Sequence, residues 1–170
     1  MTRSTAREIV IHLVYGMDYT HAGVDETLDT LLETGYYAGL SHELELYSER
    51  PNKKQMAYIR AVAGGCAEKQ AELDEIISRY AIGWPVSRIS RLVRAILHVA
   101  IYEVLYVDDV PTGVAINEAV RLTRIYEDED VVGFVNGILG AFAQRIRLLR
   151  SLRQRALSDV MSPGLSALRL

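Results

Sequence analysis

Residues 109–140, DVPTGVAINEAVRLTRIYEDEDVVGFVNGILG, contain the pattern that decides the fold. Pro111 ends the preceding helix, because the residue before a proline is pushed out of helical geometry, and Pro111 itself suits the start of a new helix. An acidic run at residues 127–130 separates this helix from a second one, in which Val135, Ile138 and Leu139 recur at helical spacing. The stretch therefore predicts two helices joined by a short acidic loop.

Glycines mark one face of the second helix. Gly133, Gly137 and Gly140 follow one another at positions i, i+4 and i+7, which lie on one side of a helix. A strip without side chains lets another backbone or a flat ligand come close. We therefore expect a contact of one of these kinds on this face.

Helical spacing continues over most of the chain, and the predicted helices cover residues 5–17, 25–34, 52–80, 89–107, 112–126 and 131–149. Thr5 and Glu8 form a capping-box pattern at the start of the first helix. Gly64-Gly65 predicts a kink or a close helix crossing in the long third one. Residues 36–51 read as a loop that holds a short helix around residues 42–47.

One segment is apolar on almost every side, which indicates a buried helix at the centre of the second half: residues 89–107. No alternating strand pattern is present. The predicted fold class is all-α, a two-subdomain helical bundle. Residues 1–81 and 82–150 form its subdomains on either side of the AIGWP hinge, and residues 151–170 form a basic, frayed tail.

Composition and charge restrict the class of protein. The chain has 170 residues, of which 49% are hydrophobic and 24% are charged, and its single cysteine excludes an intramolecular disulfide. No signal peptide or membrane-spanning apolar run is found, so we expect a cytoplasmic protein and no membrane partner. The net charge of −3 does not favour a polyanion. However, residues 18–50 hold eight acids and one arginine, whereas residues 142–170 hold six arginines and one acid.

No catalytic or metal-binding pattern is found. The four histidines form no i, i+4 pair, and Cys66 has no cysteine at metal-ligand spacing. His98 lies on the apolar segment and is interpreted as a structural histidine. The acids at residues 127–130 lack the spacing of a calcium loop and are interpreted as a solvated loop before a helix N-terminus. We expect no enzyme, metal or cofactor, but a binding module.

Several segments together resemble the NusB family of transcription antitermination proteins. They are AREIVIHLVY at residues 6–15, ELDEIISRYAIGWPVSRIS at residues 72–90, ILHVAIYEVL at residues 96–105, and the stretch of residues 109–140 quoted above. Each is weak alone, but their number, order and spacing make chance similarity very improbable. The resemblance covers nearly the whole chain. It implies a helical fold of two subdomains without catalysis.

The resemblance also implies a function and partners. NusB proteins bind the boxA element of ribosomal RNA transcripts together with NusE, a protein of the small ribosomal subunit. The pair joins a transcription elongation complex with RNA polymerase that resists premature termination. In this family the N-terminal end and the start of the last helix contact RNA, and NusE contacts mainly the C-terminal half.

On this basis the candidate RNA-binding residues are Arg3, Arg7, Tyr15, Phe134 and Asn136. Arg3 and Arg7 lie four residues apart, where they could reach successive phosphates; Tyr15 and Phe134 could stack bases, and Asn136 could read a base edge. Each has an alternative role. Arg7 could pair with Glu8 or Asp18, the two rings could belong to the core, and Asn136 could cap a neighbouring helix or bridge to Asn117.

Glu118 and Asn117 are interpreted as structural. Glu118 falls near the inward stripe of its helix, where a carboxylate needs a cationic partner. We expect that partner to be Arg88, Arg91 or Arg94.

Three departures from the family pattern remove positive charge. The opening RSTAR has fewer arginines than usual, His98 stands in place of an arginine, and Gly133 in place of a frequent lysine. We therefore expect weaker and less salt-sensitive RNA binding. The alternative function is a helical protein-interaction subunit, such as a homodimer, with little RNA affinity of its own.

Overall fold

The computed structural model describes residues 1–161, and these form eight α-helices without a β-strand. The helices are α1 (Arg3–Thr20), α2 (Val24–Leu32), α3 (Thr34–Glu43), α4 (Lys53–Glu68), α5 (Gln70–Tyr80), α6 (Arg91–Tyr106), α7 (Thr112–Tyr126) and α8 (Glu129–Met161). Single turns of 3-10 helix cover Glu45–Tyr47 and Val86–Arg88. The predicted all-α class is confirmed. No helix among residues 1–161 combines the length and apolar character needed to cross a membrane.

Helix α6 is the centre of the bundle. Most of its residues are buried, and it packs against α1, α4, α5, α7 and α8. The buried side chains of both halves form one hydrophobic cluster around it. The predicted burial of this helix is confirmed, but the helix is central to the whole bundle and not to the second half alone. The division at residue 81 stays a prediction.

The first helix starts earlier than the capping-box pattern predicted. Thr2 is the N-cap, and its Oγ1 accepts a hydrogen bond of 3.0 Å from the backbone N–H of Thr5. The helix ends at His21, whose φ of 58° reverses the chain. Thr5 therefore lies within the first turn of α1 and does not cap the helix.

Two predicted segments differ from the structure. The long helix over residues 52–80 is broken at Lys69, not at the glycine pair. Residues 36–51 are more helical than expected, since α3 covers half of them and a turn of 3-10 helix covers Glu45–Tyr47. Glu33 caps α3 by accepting hydrogen bonds from the backbone of Gly35 and Tyr36.

The prediction of a frayed tail from residue 151 is wrong as far as Met161, because α8 continues to that residue. Leucine, arginine, glutamine and alanine dominate residues 148–157, and all are strong helix formers. The last nine residues of the predicted tail, 162–170, lie outside the described part of the chain.

The predicted close crossing at the glycine pair is found at Gly65. A Cβ atom there would overlap the ring of Tyr102 on α6, whereas a Cβ at Gly64 would lie 3.5 Å from Val24 in ordinary contact. We expect Gly65→Ala to lower the free energy of unfolding by about 1–3 kcal/mol through overpacking. Gly64→Ala is the matched control and should raise it by up to about 1 kcal/mol. Urea denaturation measures both, and equal effects would contradict the close crossing.

Candidate nucleic-acid interface

Arg7 lies inside the protein rather than at its surface. It is 3% exposed, and its Nε and Nη2 donate hydrogen bonds of 2.8 and 3.0 Å to the two carboxylate oxygens of Glu103 on α6. Tyr58 on α4 donates a further bond of 2.7 Å to Glu103. Burial alone would lower the pKa of Arg7, but pairing with Glu103 raises it. This buried pair joins α1 to α6.

The prediction that Arg7 contacts a phosphate is therefore corrected. Its guanidinium is closed off from solvent, and its third nitrogen, Nη1, donates to Glu118 at 3.1 Å. A phosphate could reach Arg7 only if these bonds were broken and the ends of two helices moved apart. Arg7 holds the fold together, with Glu103 as a partner that neither alternative in the sequence analysis named.

Glu118 has the cationic partner that its position demanded, but from other helices than expected. It accepts hydrogen bonds from Arg7 and Ser4 on α1 and from Arg121 one turn further along α7. Burial raises the pKa of Glu118, yet these bonds outweigh it and the pKa is lowered. The structural role holds, whereas pairing with Arg88, Arg91 or Arg94 was wrong. Asn117 is exposed.

Arg3 lies at one end of the molecule. Its guanidinium stacks over the Tyr58 ring, 4.2 Å from the centroid, and its Nη2 donates a bond of 2.8 Å to Asp109 beyond the C-terminal end of α6. The side chain remains 37% exposed. Arg3 can therefore still bind a phosphate, although the phosphate competes with Asp109 for the guanidinium.

Phe134 and Tyr15 lie at the other end of α6 from Arg3, and each lines a cleft at that end. The Phe134 cleft is bordered by Val93 and the Tyr15 cleft by the preceding residue, Leu92. Arg3 is separated from them by most of the length of α6, roughly 20 Å. The structure thus places both predicted rings at the same end of α6, one on α1 and the other on α8, and places the predicted arginines elsewhere.

The Phe134 cleft contains two residues that the sequence analysis did not select. Trp84 is 54% exposed, and its ring centroid lies 6.0 Å from that of Phe134 at an angle of 57°. Arg88 lines the same cleft and forms no ion pair with any described residue. The sequence contained one signal for Trp84, because it is the single tryptophan of the chain and lies in the predicted hinge. A large ring in a loop usually either packs against the core or binds a ligand.

Asn136 lies on the glycine face of α8, not in the Phe134 cleft. It is exposed and falls between Gly133 and Gly140 along this face. No described neighbour comes within 4 Å of a Cβ placed at any of the three glycines. The face is open, so the predicted contact with another backbone does not occur within the described chain, and Asn136 points away from Phe134.

Acidic groups restrict what the Phe134 cleft can bind. Glu127 and Asp130 line it together with Arg88, and Glu127 accepts a hydrogen bond of 3.1 Å from Ser90. Two carboxylates beside one arginine give the lining of the cleft a net negative charge, which disfavours a phosphate inside it. The cleft is therefore suited to a flat base with hydrogen-bond donors, with the phosphates outside.

A second polar network supports the cleft end of the bundle. Arg94 on α6 donates to Asp74 on α5 at 2.8 Å and to Asp18 on α1 at 3.0 Å. His98 is 3% exposed, and its Nε2 lies 2.7 Å from Asp74, which supports its structural interpretation. The network ties three helices together.

The network predicts a loss of stability in acid. Burial raises the pKa of Asp74, but the bonds from His98 and Arg94 outweigh it and lower the pKa to about 2. Because the folded pKa is depressed, this stability is complete above the ordinary pKa near 4 and disappears as the pH falls from about 5 to 2, by roughly 2 kcal/mol. The free energy of unfolding of Asp74→Asn, measured by urea denaturation, should fall correspondingly less over this pH range. Asp108→Asn, an exposed control, should behave like the parent chain, and identical curves for all three would contradict the network.

An all-helical framework that presents exposed rings and an arginine in open clefts defines a class of helical binding modules. A model of the NusB family matches residues 4–144. The transcription antitermination protein NusB of Carboxydothermus hydrogenoformans is 38% identical over 146 residues, covering 86% of this chain and 95% of that protein. The protein of the same name from Ruminiclostridium cellulolyticum is 35% identical over 139 residues, covering 82% and 86%. The chain belongs to the NusB family.

Solved structures agree with this assignment. T. maritima NusB superposes with a TM-score of 0.69 at 28% identity, over 85% of this chain and 92% of that one. A structure of the antitermination factors NusB and NusE in complex with dsRNA gives a TM-score of 0.67 at 21% identity, over 84% and 96% of the chains. The second likeness shows the fold alone.

Proposed function

We propose that this chain is a transcription antitermination factor that binds boxA-type single-stranded RNA of ribosomal RNA transcripts together with NusE. Family membership supports this, since the curated relatives carry the name transcription antitermination protein NusB. One solved structure of the same fold holds the antitermination factors NusB and NusE in complex with dsRNA. The proposal includes assembly on RNA polymerase, which takes place in the cytoplasm, and a binding role rather than catalysis.

The observation that carries the RNA-binding part is the Trp84–Phe134 cleft. Two rings whose centroids are 6.0 Å apart, with Trp84 more than half exposed, form a stacking platform beside the cationic Arg88. Base stacking on aromatic side chains is the usual means of binding single strands. Tyr15, 42% exposed in the neighbouring cleft, supplies a further ring.

The path of the RNA follows from these positions. A strand that stacks one base at Trp84 and Phe134 reaches Tyr15 across the start of α6. It extends to Arg3 only if it also follows the length of that helix. Because Arg7 is buried and Arg3 is paired with Asp109, few cations face the strand. We infer that stacking contributes more to affinity than charge, so the salt dependence should be shallow.

A binding titration tests the proposal. A boxA RNA and a scrambled RNA of equal length are titrated with the chain, with and without NusE, at two salt concentrations. We expect preference for boxA, stronger binding with NusE, and a loss with salt of about 0.7 in slope for each phosphate contact. Equal, feeble binding to both RNAs, unchanged by NusE, would contradict the proposal. It would favour the protein-interaction subunit.

A further inference from the structure

Positive charge is concentrated in one part of the described chain, the distal part of α8. Residues 1–141 carry 13 lysines and arginines against 21 acids, whereas residues 142–161 carry five arginines against one acid. All five arginines are exposed, and none forms an ion pair with a described residue. The match to the NusB family model ends at residue 144, so all five lie beyond it. A polyanion is therefore attracted to this segment and disfavoured by the net charge of the rest.

Two of these arginines share one face of α8 with two neutral polar residues. Arg147, Arg150, Ser151 and Gln154 stand at positions i, i+3, i+4 and i+7, which lie on one side of a helix; we name these four residues the basic face. They border a cleft of about 270 Å³ that also contacts Thr112 at the start of α7. Every polar side chain of the lining can donate a hydrogen bond, and none of the lining residues is acidic. Such a lining suits a phosphate group, which accepts hydrogen bonds and carries negative charge.

Arg150 is held in place by the bundle. Its Nη2 donates a hydrogen bond of 3.1 Å to the backbone carbonyl of Val104, near the C-terminal end of α6. A guanidinium has further N–H donors in the same plane, and these remain available to a phosphate. Because its orientation is already fixed, Arg150 loses less side-chain entropy on binding than a freely rotating arginine does.

An open strip of α8 connects the Phe134 cleft with the basic face. Asn136, Gly140 and Arg147 are separated by four and seven residues, so they lie on the same side of the helix. No described neighbour comes within 4 Å of a Cβ placed at Gly140. The helix rises by roughly 20 Å from Phe134 to Arg147. A strand that leaves the cleft can follow this strip, past Asn136, as far as the arginines.

We propose that the basic face binds the phosphate backbone of the transcript outside the boxA element. The inference rests on the proposed function, because it requires that boxA is held at the Phe134 cleft. Phosphates are the same in every nucleotide, so this contact adds affinity without selecting a sequence. It also provides the positive charge that the cleft lacks. The boxA part is bound mainly by stacking, and the flanking part mainly by electrostatic attraction.

Fluorescence anisotropy with two labelled RNAs tests the inference: boxA alone, and boxA with nucleotides added on both sides, each with NusE present. We expect the flanked RNA to bind more tightly. Its salt slope should be steeper by about 1.4, which is about 0.7 for each of two phosphate contacts. A roughly fourfold rise in salt should therefore weaken the flanked RNA about sevenfold more than boxA alone. Flanks of a different sequence should give the same result.

Arginine variants assign the added affinity to the basic face. Arg147→Gln combined with Arg150→Gln should remove both the tighter binding and the steeper slope of the flanked RNA, with boxA alone bound as by the parent chain. Arg150→Lys keeps the charge and should keep most of the added affinity, which separates the charge from the bond to Val104. Arg145→Gln is the matched control and should bind like the parent, because Arg145 is equally exposed but lies on the opposite side of α8. Circular dichroism should be unchanged in all of them, since the replaced side chains are exposed.

Two results would overturn this inference and leave the proposed function intact. In the first, flanked RNA binds no more tightly than boxA alone and has the same salt slope; the distal part of α8 is then a protein contact through Leu149 and Leu152 on its other side. In the second, Arg145→Gln loses as much affinity as the double variant, which indicates attraction to the whole helix and not to one face. If boxA alone is not bound at all, the proposed function and this inference both fail.

Discussion

Arg7→Ala is expected to lower the free energy of unfolding by about 3–5 kcal/mol, because it leaves the fully buried carboxylate of Glu103 without its cation. Glu103 accepts two hydrogen bonds from Arg7, and the remaining bond from Tyr58 cannot replace the lost charge. Urea denaturation at neutral pH measures the change. A loss of this size can exceed half of the stability of a small domain.

Arg121→Ala is the matched control for Arg7→Ala. Arg121 also pairs with Glu118, but its side chain is 43% exposed, so its loss should change stability by at most about 1 kcal/mol. A second variant replaces the three buried groups with apolar ones, as Arg7→Met, Glu103→Leu and Tyr58→Phe together. It should recover most of the stability, because Glu118 keeps its bonds from Ser4 and Arg121. If Arg7→Ala is as mild as Arg121→Ala, the buried pair does not hold α1 to α6.

Phe134→Ala and Trp84→Ala should each weaken binding of boxA RNA by about five- to a hundredfold, since stacking of one base contributes roughly 1–3 kcal/mol. Fluorescence anisotropy of a labelled RNA measures the affinity. Trp84 is more than half exposed and Phe134 is partly buried, so folding should be largely retained, more so for Trp84. The double variant should lose less than the sum of the two, because both rings serve one cleft.

Val114→Ala provides the control for the aromatic variants. Val114 is similarly exposed but lies at the start of α7, away from the cleft, and its variant should bind RNA like the parent chain. A marked fall in thermal stability of Phe134→Ala with unchanged RNA affinity would assign Phe134 to the core. The same result for Trp84→Ala would remove the stacking platform altogether.

The sequence predicted the helices around the centre of the fold because their signals are local. Pro111 sets the start of α7, the acidic run precedes α8, and the uniform apolarity of α6 requires burial. The sequence did not predict where α8 ends, because the end was placed where the buried stripe fades, and a helix can continue without being buried. The core stripe fades after Leu149, yet the residues that follow still favour a helix.

The candidate site was harder to predict because it depends on contacts between distant segments. Helical spacing placed Arg3 and Arg7 on neighbouring positions, but only the packing of α1 on α6 decides that Arg7 meets Glu103. A signal was present, since Glu103 is the lone acid in α6 and a carboxylate in a buried helix requires a cation. The pairing of Trp84 with Phe134 spans fifty residues and has no local signal at all.

The most direct test of RNA binding at the cleft uses the intrinsic fluorescence of Trp84, the only tryptophan in the chain. A base that stacks on the ring quenches its emission, so titration with boxA RNA should reduce the signal and saturate at the concentration where anisotropy of labelled RNA also saturates. Scrambled RNA should produce little change. Unchanged Trp84 emission, while anisotropy shows that boxA RNA is bound, would contradict base stacking in this cleft.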